Sequence, residues 1–570
     1  LLAVARGEAP ADLALVGGRV ADVLTGEIRA ASVAVCGERV AALGTACRAL
    51  ETIDLDGATV LPGLIDAHAH LESAMVSPRE FSRLLVPRGV TTAVIDPHEI
   101  ANVLGVAGVK AMLAASIGIP LDLFVMAPSC VPATNFSTSG GALEAAELAE
   151  LLREPGVLGI GEMMNYPGVA AGVPEVLSKI DTAGGRPVDG HAPGLSGPLL
   201  NAYVAAGITS DHECTGVAEA LEKLRLGMWI YLREGSSARN LAALMPLITP
   251  TLERRLCLCT DDRDLEDLLG EGSIDHALRM VLAGPVDPVT GVRLATLNPA
   301  ERFGLADRGA VAPGRLADLV VVDDPTHPVA RLVFKNGRLV ARDGKLLDAG
   351  RRHDFPHAAA SVRIDRGSLS FAVAARGLEI RVIGARPGQI VTAHLVRRAA
   401  IREGLAVADP GRDLAKVAVV ERHTASGRVG LGFVEGLGLR HGAIAQTVAH
   451  DHHNLIVAGV DDASMTAAAL AVADAGGGMA AALGGEVVAS LPLPVAGLMS
   501  DLPFEEVLSQ RRALLAAARG LGCLEHDPFM LLSFLGLEVI PALKITDRGL
   551  VDVERFELVP LFVEDGRAGG

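Results

Sequence analysis

Between residues 61 and 304 the chain alternates eight short, apolar, strand-like runs with longer helical stretches, and few folds accept that alternation. The runs are 61–66, 91–95, 121–126, 157–161, 187–189, 208–210, 228–232 and 256–259. Eight such units in this length predict a TIM (β/α)8 barrel over 61–304. A doubly wound α/β sheet is the other candidate. It does not need eight units, however, and no Gly-x-Gly-x-x-Gly follows the first run.

Short β-prone runs separated by turn glycines lie on both sides of this stretch. Before it stand 13–16, 20–24, 32–35 and 40–43; after it stand 318–322, 331–335 and 339–341, the last two joined by Asn336-Gly337. Asn-Gly between two such runs is a strong hairpin signal. These segments predict a small β-sandwich built from 1–60 and 305–355. Residues 356–570 mix further strands (379–383, 417–420, 455–459) with an Ala-rich helix near 462–474. They are too apolar for a disordered tail and predict a C-terminal α/β domain.

Half of the 570 residues are hydrophobic but only 3 % are aromatic, so Ala, Val, Leu and Gly must supply the packing. A net charge of −17 repels phosphate backbones and argues against a nucleic-acid partner. Seven scattered cysteines without a CxxC pair read as reduced thiols of a cytoplasmic protein. No apolar stretch runs uninterrupted long enough for a membrane span, and no export signal is visible.

Barrel active sites form where strands end, so polar residues at those positions carry the information. The first strand runs into Asp66-Ala67-His68-Ala69-His70. Residues i and i+2 of a strand share a side, so His68 and His70 can grip one ion. Strand 4 ends in Glu162, strand 5 in His191, strand 6 in His212 and strand 8 in Asp261. A lone histidine at a strand end is usually a structural residue; six donors from five strands at one rim are not explained that way. The mixed N/O set suits divalent Zn, Mn or Fe. Six ligands exceed what one ion with an open position takes, which points to a binuclear centre bridged by Glu162. Asp66 is expected to support a histidine by a hydrogen bond, and Asp262 to cap the helix after strand 8.

The segment from Leu61 to His70 (LPGLIDAHAH) resembles the opening signature of the amidohydrolase superfamily, and Pro313-Gly314 with Ala317-Asp318-Leu319-Val320 resembles its return to the β domain. The nearer resemblance is to the bacterial adenine deaminase family. It rests on His70-Leu71-Glu72-Ser73-Ala74-Met75, Asp96-Pro97-His98-Glu99-Ile100-Ala101-Asn102, Gly161-Glu162-Met163-Met164-Asn165-Tyr166-Pro167-Gly168, Gly190-His191-Ala192-Pro193-Gly194-Leu195 and Ser210-Asp211-His212-Glu213-Cys214. A late segment, Pro492-Leu493-Pro494-Val495-Ala496-Gly497-Leu498-Met499-Ser500-Asp501, extends it almost to the end of the chain. The resemblance implies that adenine and water give hypoxanthine and ammonia on a pair of Mn or Fe ions. It also implies that Glu162 supplies directly the carboxylate that a modified lysine provides in many relatives.

For that reaction a water must attack C6, N1 must gain a proton, and the amine must leave protonated. Asp261 is the candidate base and Glu213 the candidate donor to N1, although Glu213 also reads as a loop carboxylate. Arg233 and Glu72 are candidate contacts for the purine, or else a structural ion pair. Should the last region close over the barrel mouth, Asp96, His98, His450 and His452 would form a second metal site or cover the pocket. The plainer reading is a helix cap at Asp96 and a polar loop at 450–453. The expected partners are adenine, water and further copies of the chain in a dimer or tetramer. A cyclic-amide hydrolase resembling dihydroorotase or imidazolonepropionase, a catalytically silent scaffold, and an adenine-binding sensor are the alternatives.

Overall fold

In the computed structural model of the chain, which describes residues 1–44, 48–352, 361–386 and 388–563, the first apolar run is broken at Gly63. Thr59–Pro62 leaves the barrel and pairs antiparallel with Leu319–Val322, while Leu64–Ala69 becomes the first barrel strand. The run 61–66 is therefore two strands, not one. Pro62 cannot donate to a continuing ladder. Gly63 lies so close to Thr91 that a Cβ would meet its Oγ1 at 2.1 Å, so no side chain fits at the break.

The chain divides into two compact units. The first comprises Leu1–Pro97, Met112–Cys130 and Glu144–His353. In it β1 (Leu64–Ala69), β2 (Val90–Ile95), β3 (Asp122–Ala127), β4 (Val157–Met163) and β5 (Val188–Gly190) form a parallel sheet in sequential order. A second parallel sheet holds β6 (Ser210–Asp211), β7 (Trp229–Arg233) and β8 (Leu256–Cys259). The two join at both edges. Thr209 N–H donates to Val188 O at 3.1 Å, and Asp261 N–H donates to His68 O at 2.9 Å beside the parallel bridge of Ala69 with Asp261. The eight strands thus make a TIM-like barrel. Every residue of β1 and β2 is buried, as expected of parallel strands covered on both faces.

The flanking β segments form two sheets. A four-stranded sheet holds Arg39–Gly44, Ser32–Cys36, Ala11–Val16 and Ala49–Asp54. A seven-stranded sheet takes Arg19–Asp22, Glu27–Ala30 and Thr59–Pro62 from one side of the barrel and four strands between Leu319 and Leu346 from the other. Leu13, Leu15, Val33, Val60, Leu319, Val321 and Phe334 share one buried cluster, so sequence on both sides of the barrel builds a single core.

The second unit comprises His98–Ala111, Val131–Leu143 and Asp354–Gly570, so two stretches expected in the barrel belong to it; the boundary expected at 355/356 lies outside the described residues. Its main sheet has eight strands, with Leu414–Val420 and Leu455–Gly459 central. The helix Asp462–Asp474 starts at Asp461, whose side chain accepts the Ser464 N–H, and lays Met465, Ala468, Ala469 and Val472 on Ala443, Ala445, Val457 and Ala480. Alanines on both faces allow close helix–sheet contact, which is how a chain poor in aromatics fills this core. Among the described residues no helix is long and apolar enough to cross a membrane, and six cysteines are free thiols.

Candidate metal centre

The rim of the barrel gathers the strand-end donors around one carboxylate. Glu162, near the end of β4, is 3 % exposed. Its Oε2 lies 2.8 Å from His191 Nδ1 and 3.3 Å from His212 Nε2; its Oε1 lies 3.3 Å from His70 Nε2 and 4.0 Å from His68 Nε2. Asp261 Oδ1 stands 3.0 Å from His70 Nε2 and 3.5 Å from His68 Nε2. The His68 and His212 rings stack with centroids 4.4 Å apart.

Local structure aims these groups. His70 Nδ1–H donates to Asp96 O at 2.9 Å, which leaves Nε2 as the inward donor, the usual arrangement behind a metal-binding imidazole. Asp96 Oδ2 accepts the Glu162 N–H at 2.8 Å. That approach requires Gly161, where a Cβ would meet the same oxygen at 2.1 Å. Asp261 holds a left-handed backbone (φ 59°) while its N–H donates to His68 O and its C=O accepts the His70 N–H. Asp66 differs from expectation: its carboxylate accepts from the His68 and Thr260 main chains and the Thr260 hydroxyl, not from an imidazole.

Electrostatics favours cations here. Burial opposes ionisation of Glu162, yet hydrogen bonds from His191, His212 and His70 hold its carboxyl well below the usual range. Burial likewise opposes Asp261, and Arg233 with His68 and His70 outweighs it. In return burial lowers His212, but Glu162 draws it up to about 9. His68 Nε2 is buried without a hydrogen bond. Overlapping trios, His68–His70–Glu162, His68–His212–Asp261 and Glu162–His191–His212, each have donor atoms within 4.8 Å of one another. A buried N/O donor set that pulls protons onto its own histidines fits a divalent metal.

The other expected site residues fall differently. Arg233 donates to Glu213 through both terminal nitrogens and to Asp261 Oδ2 at 2.7 Å, so its guanidinium clamps two carboxylates. Glu72 is buried in the turn Leu71–Ala74 directly after His70. Asp262 accepts the Ser73 hydroxyl; the helix Leu265–Gly270 is capped instead by Asp264, which accepts the Asp267 N–H. Of the second proposed set, Asp96 serves Glu162, and His452 Nδ1 accepts the Asn454 N–H. In the second unit Glu99, His450 and His453 converge, with His98 Nε2 3.4 Å from Glu99 Oε1.

Sequence reasoning missed the brace behind His191 and His212. Lys223, wholly buried, donates to Ala192 O at 2.7 Å, Asp211 Oδ2 at 2.9 Å and Glu219 Oε1 at 2.7 Å. Asp211 Oδ1 accepts the Ala192 N–H at 2.8 Å. The loops after β5 and β6 are thereby tied together one residue from each histidine. Lys223→Met is expected to cost about 3–5 kcal/mol of stability, because Asp211 is left charged and buried. Urea unfolding reads this directly; a loss below about 1 kcal/mol, the scale of a surface pair, would remove the brace from the account.

Residues 59–346 match the amidohydrolase family and residues 389–557 match the adenine deaminase C-terminal domain. The chain is 49 % identical over 564 residues to the adenine deaminase of Desulfatibacillum aliphaticivorans, covering 99 % of each. It is 50 % identical over 568 residues to that of Nitratidesulfovibrio vulgaris, covering 99 % of this chain and 98 % of the relative. With the adenine deaminase of Methanothrix thermoacetophila it shares 47 % identity over 568 residues and 99 % of each chain.

Proposed function

The chain belongs to the adenine deaminase family of amidohydrolases, and from that premise we propose that it hydrolyses adenine to hypoxanthine and ammonia at the rim of its barrel. The observation that carries this reading is the buried carboxylate of Glu162, within 4.0 Å of all four strand-end imidazoles. His68, His70, Glu162, His191, His212 and Asp261 would hold a pair of Mn or Fe ions, with Zn also suited to the set. Bound divalent cations supply the Lewis acidity that lets a water ionise near neutral pH.

The remaining work falls to side chains. Arg233 keeps Glu213 and Asp261 as carboxylates beforehand, so each must take a proton before it can give one. Glu213 takes one proton of the attacking water and delivers it to N1 as the oxygen bonds to C6 and the ring loses aromaticity. Asp261 takes the other proton from that oxygen and hands it to the amine. The tetrahedral carbon then expels the amine as ammonia, and the C6–O double bond forms. Glu72, beside His70, is in sequence position to meet the purine edge.

Ammonia release from adenine by the Mn-loaded chain tests the reading, with dihydroorotate and an imidazolone as competitors. Turnover of adenine alone is expected, at roughly 1–10³ per second for an ordinary enzyme. Ring opening of either cyclic amide with no reaction of adenine would replace this assignment by a lactam hydrolase; metal binding with neither reaction would leave a scaffold or sensor.

A further inference from the structure

We propose that the second unit holds a divalent cation of its own, bound by Glu99, His450 and His453. Glu99 lies in the first turn of the helix His98–Leu104 and is 3 % exposed. Its Oε1 is 2.8 Å from His450 Nδ1, and its Oε2 touches His453 Nε2. Donor atoms from the three residues lie within 4.8 Å of one another, the same spacing as the trios at the barrel rim. His98, 3.4 Å from Glu99 through Nε2, stands beside them as a further imidazole.

Two imidazoles and a carboxylate are a sufficient protein set for Zn, Mn or Fe, with a position left for water. Neutral imidazoles hydrogen-bond a buried carboxylate but do not neutralise it; a cation does. The loop that carries the histidines is held from behind. Arg422, itself fully buried, donates through Nε to His453 O and at 3.0 Å to Ala496 O, while its N–H reaches Asn454 Oδ1 at 3.1 Å. His423 Nε2 lies 2.8 Å from His452 O, the His450 N–H donates to Ser533 Oγ at 3.2 Å, and the His450 ring stacks on Phe534. Ligands fixed by their surroundings lose little freedom on binding.

One contact sets the strength of the site. The Ala449 N–H meets His453 Nδ1 at 3.2 Å, which places the proton of the neutral ring on Nε2, facing Glu99. A cation at Nε2 displaces that proton to Nδ1, where it opposes the Ala449 N–H, and the loop must yield. Binding is therefore weaker than at the barrel rim.

The full chain, stripped by chelator and titrated with Zn²⁺, is expected to take up a third, weakest equivalent. Glu99→Gln and His450→Ala are each expected to lose that equivalent and keep the other two. A wild-type count that stops at two overturns the proposal, as does a third equivalent retained in both variants. Should a variant fail to fold, the wild-type count decides. Ammonia release from adenine is measured in parallel, so a failure of the catalytic reading shows separately from a failure of this one.

Discussion

Glutamine at position 162 is expected to remove at least one metal equivalent and to lower kcat by about 10³-fold or more. The substitution keeps shape and volume and changes only charge and donor chemistry. Glu162 lies within 4.0 Å of four imidazoles, and both of its oxygens are engaged. An amide offers one oxygen and an NH₂ that faces either His191 or His70 without compensating their cationic partners. Residues behind metal ligands are worth about 10–100-fold, and a single preorganised electrostatic contact about 10²–10³-fold, so a carboxylate shared by four imidazoles stands at or above that range. Metal analysis and ammonia release on one preparation check it. A variant with full metal and more than about a tenth of wild-type kcat would dismiss the bridging role.

Asparagine at position 261 is expected to lower kcat by about 10³-fold, within the range of general acid–base catalysis, with little change in KM. The backbone at Asp261 is left-handed, and asparagine accepts that conformation as readily as aspartate, so the loop geometry is preserved. Arg233 keeps Glu213 as a partner at 3.0 Å, so the variant does not strand a buried guanidinium. The change therefore reports on proton transfer and metal contact with little collateral damage. Less than a tenfold loss would leave both proton transfers to Glu213, and the Glu213→Gln variant would then show the larger defect.

The two substitutions probe residues that were legible before any coordinates, and there is a reason for that. A barrel places every strand's C-terminal end at one rim, so polar residues closing successive apolar runs must share a neighbourhood. His68-x-His70 adds the two-residue strand period, which sets both rings on one side. Fold class and the six donors follow from those two regularities, and the family resemblance follows from motifs that run nearly the full chain.

What one-dimensional reading misjudged involves pairing between distant segments. Gly63 splits an apparently single strand because Leu319–Val322 claims Thr59–Pro62 and Thr91 leaves no room for a side chain. Arg233 looks free to meet a substrate until Asp261 and Glu213 are seen to occupy it. Lys223 stands four residues after Glu219 on one helix, and it is buried because Asp211 and Ala192 arrive from elsewhere in the chain. His452 and His453 are neighbours in sequence, and only the fold of the loop decides that His453 faces Glu99 while His452 takes the Asn454 N–H. Local periodicity is written in the sequence because it repeats along the chain; charge partners are not, because any of 68 acidic side chains can meet a given cation and only tertiary packing selects which one does.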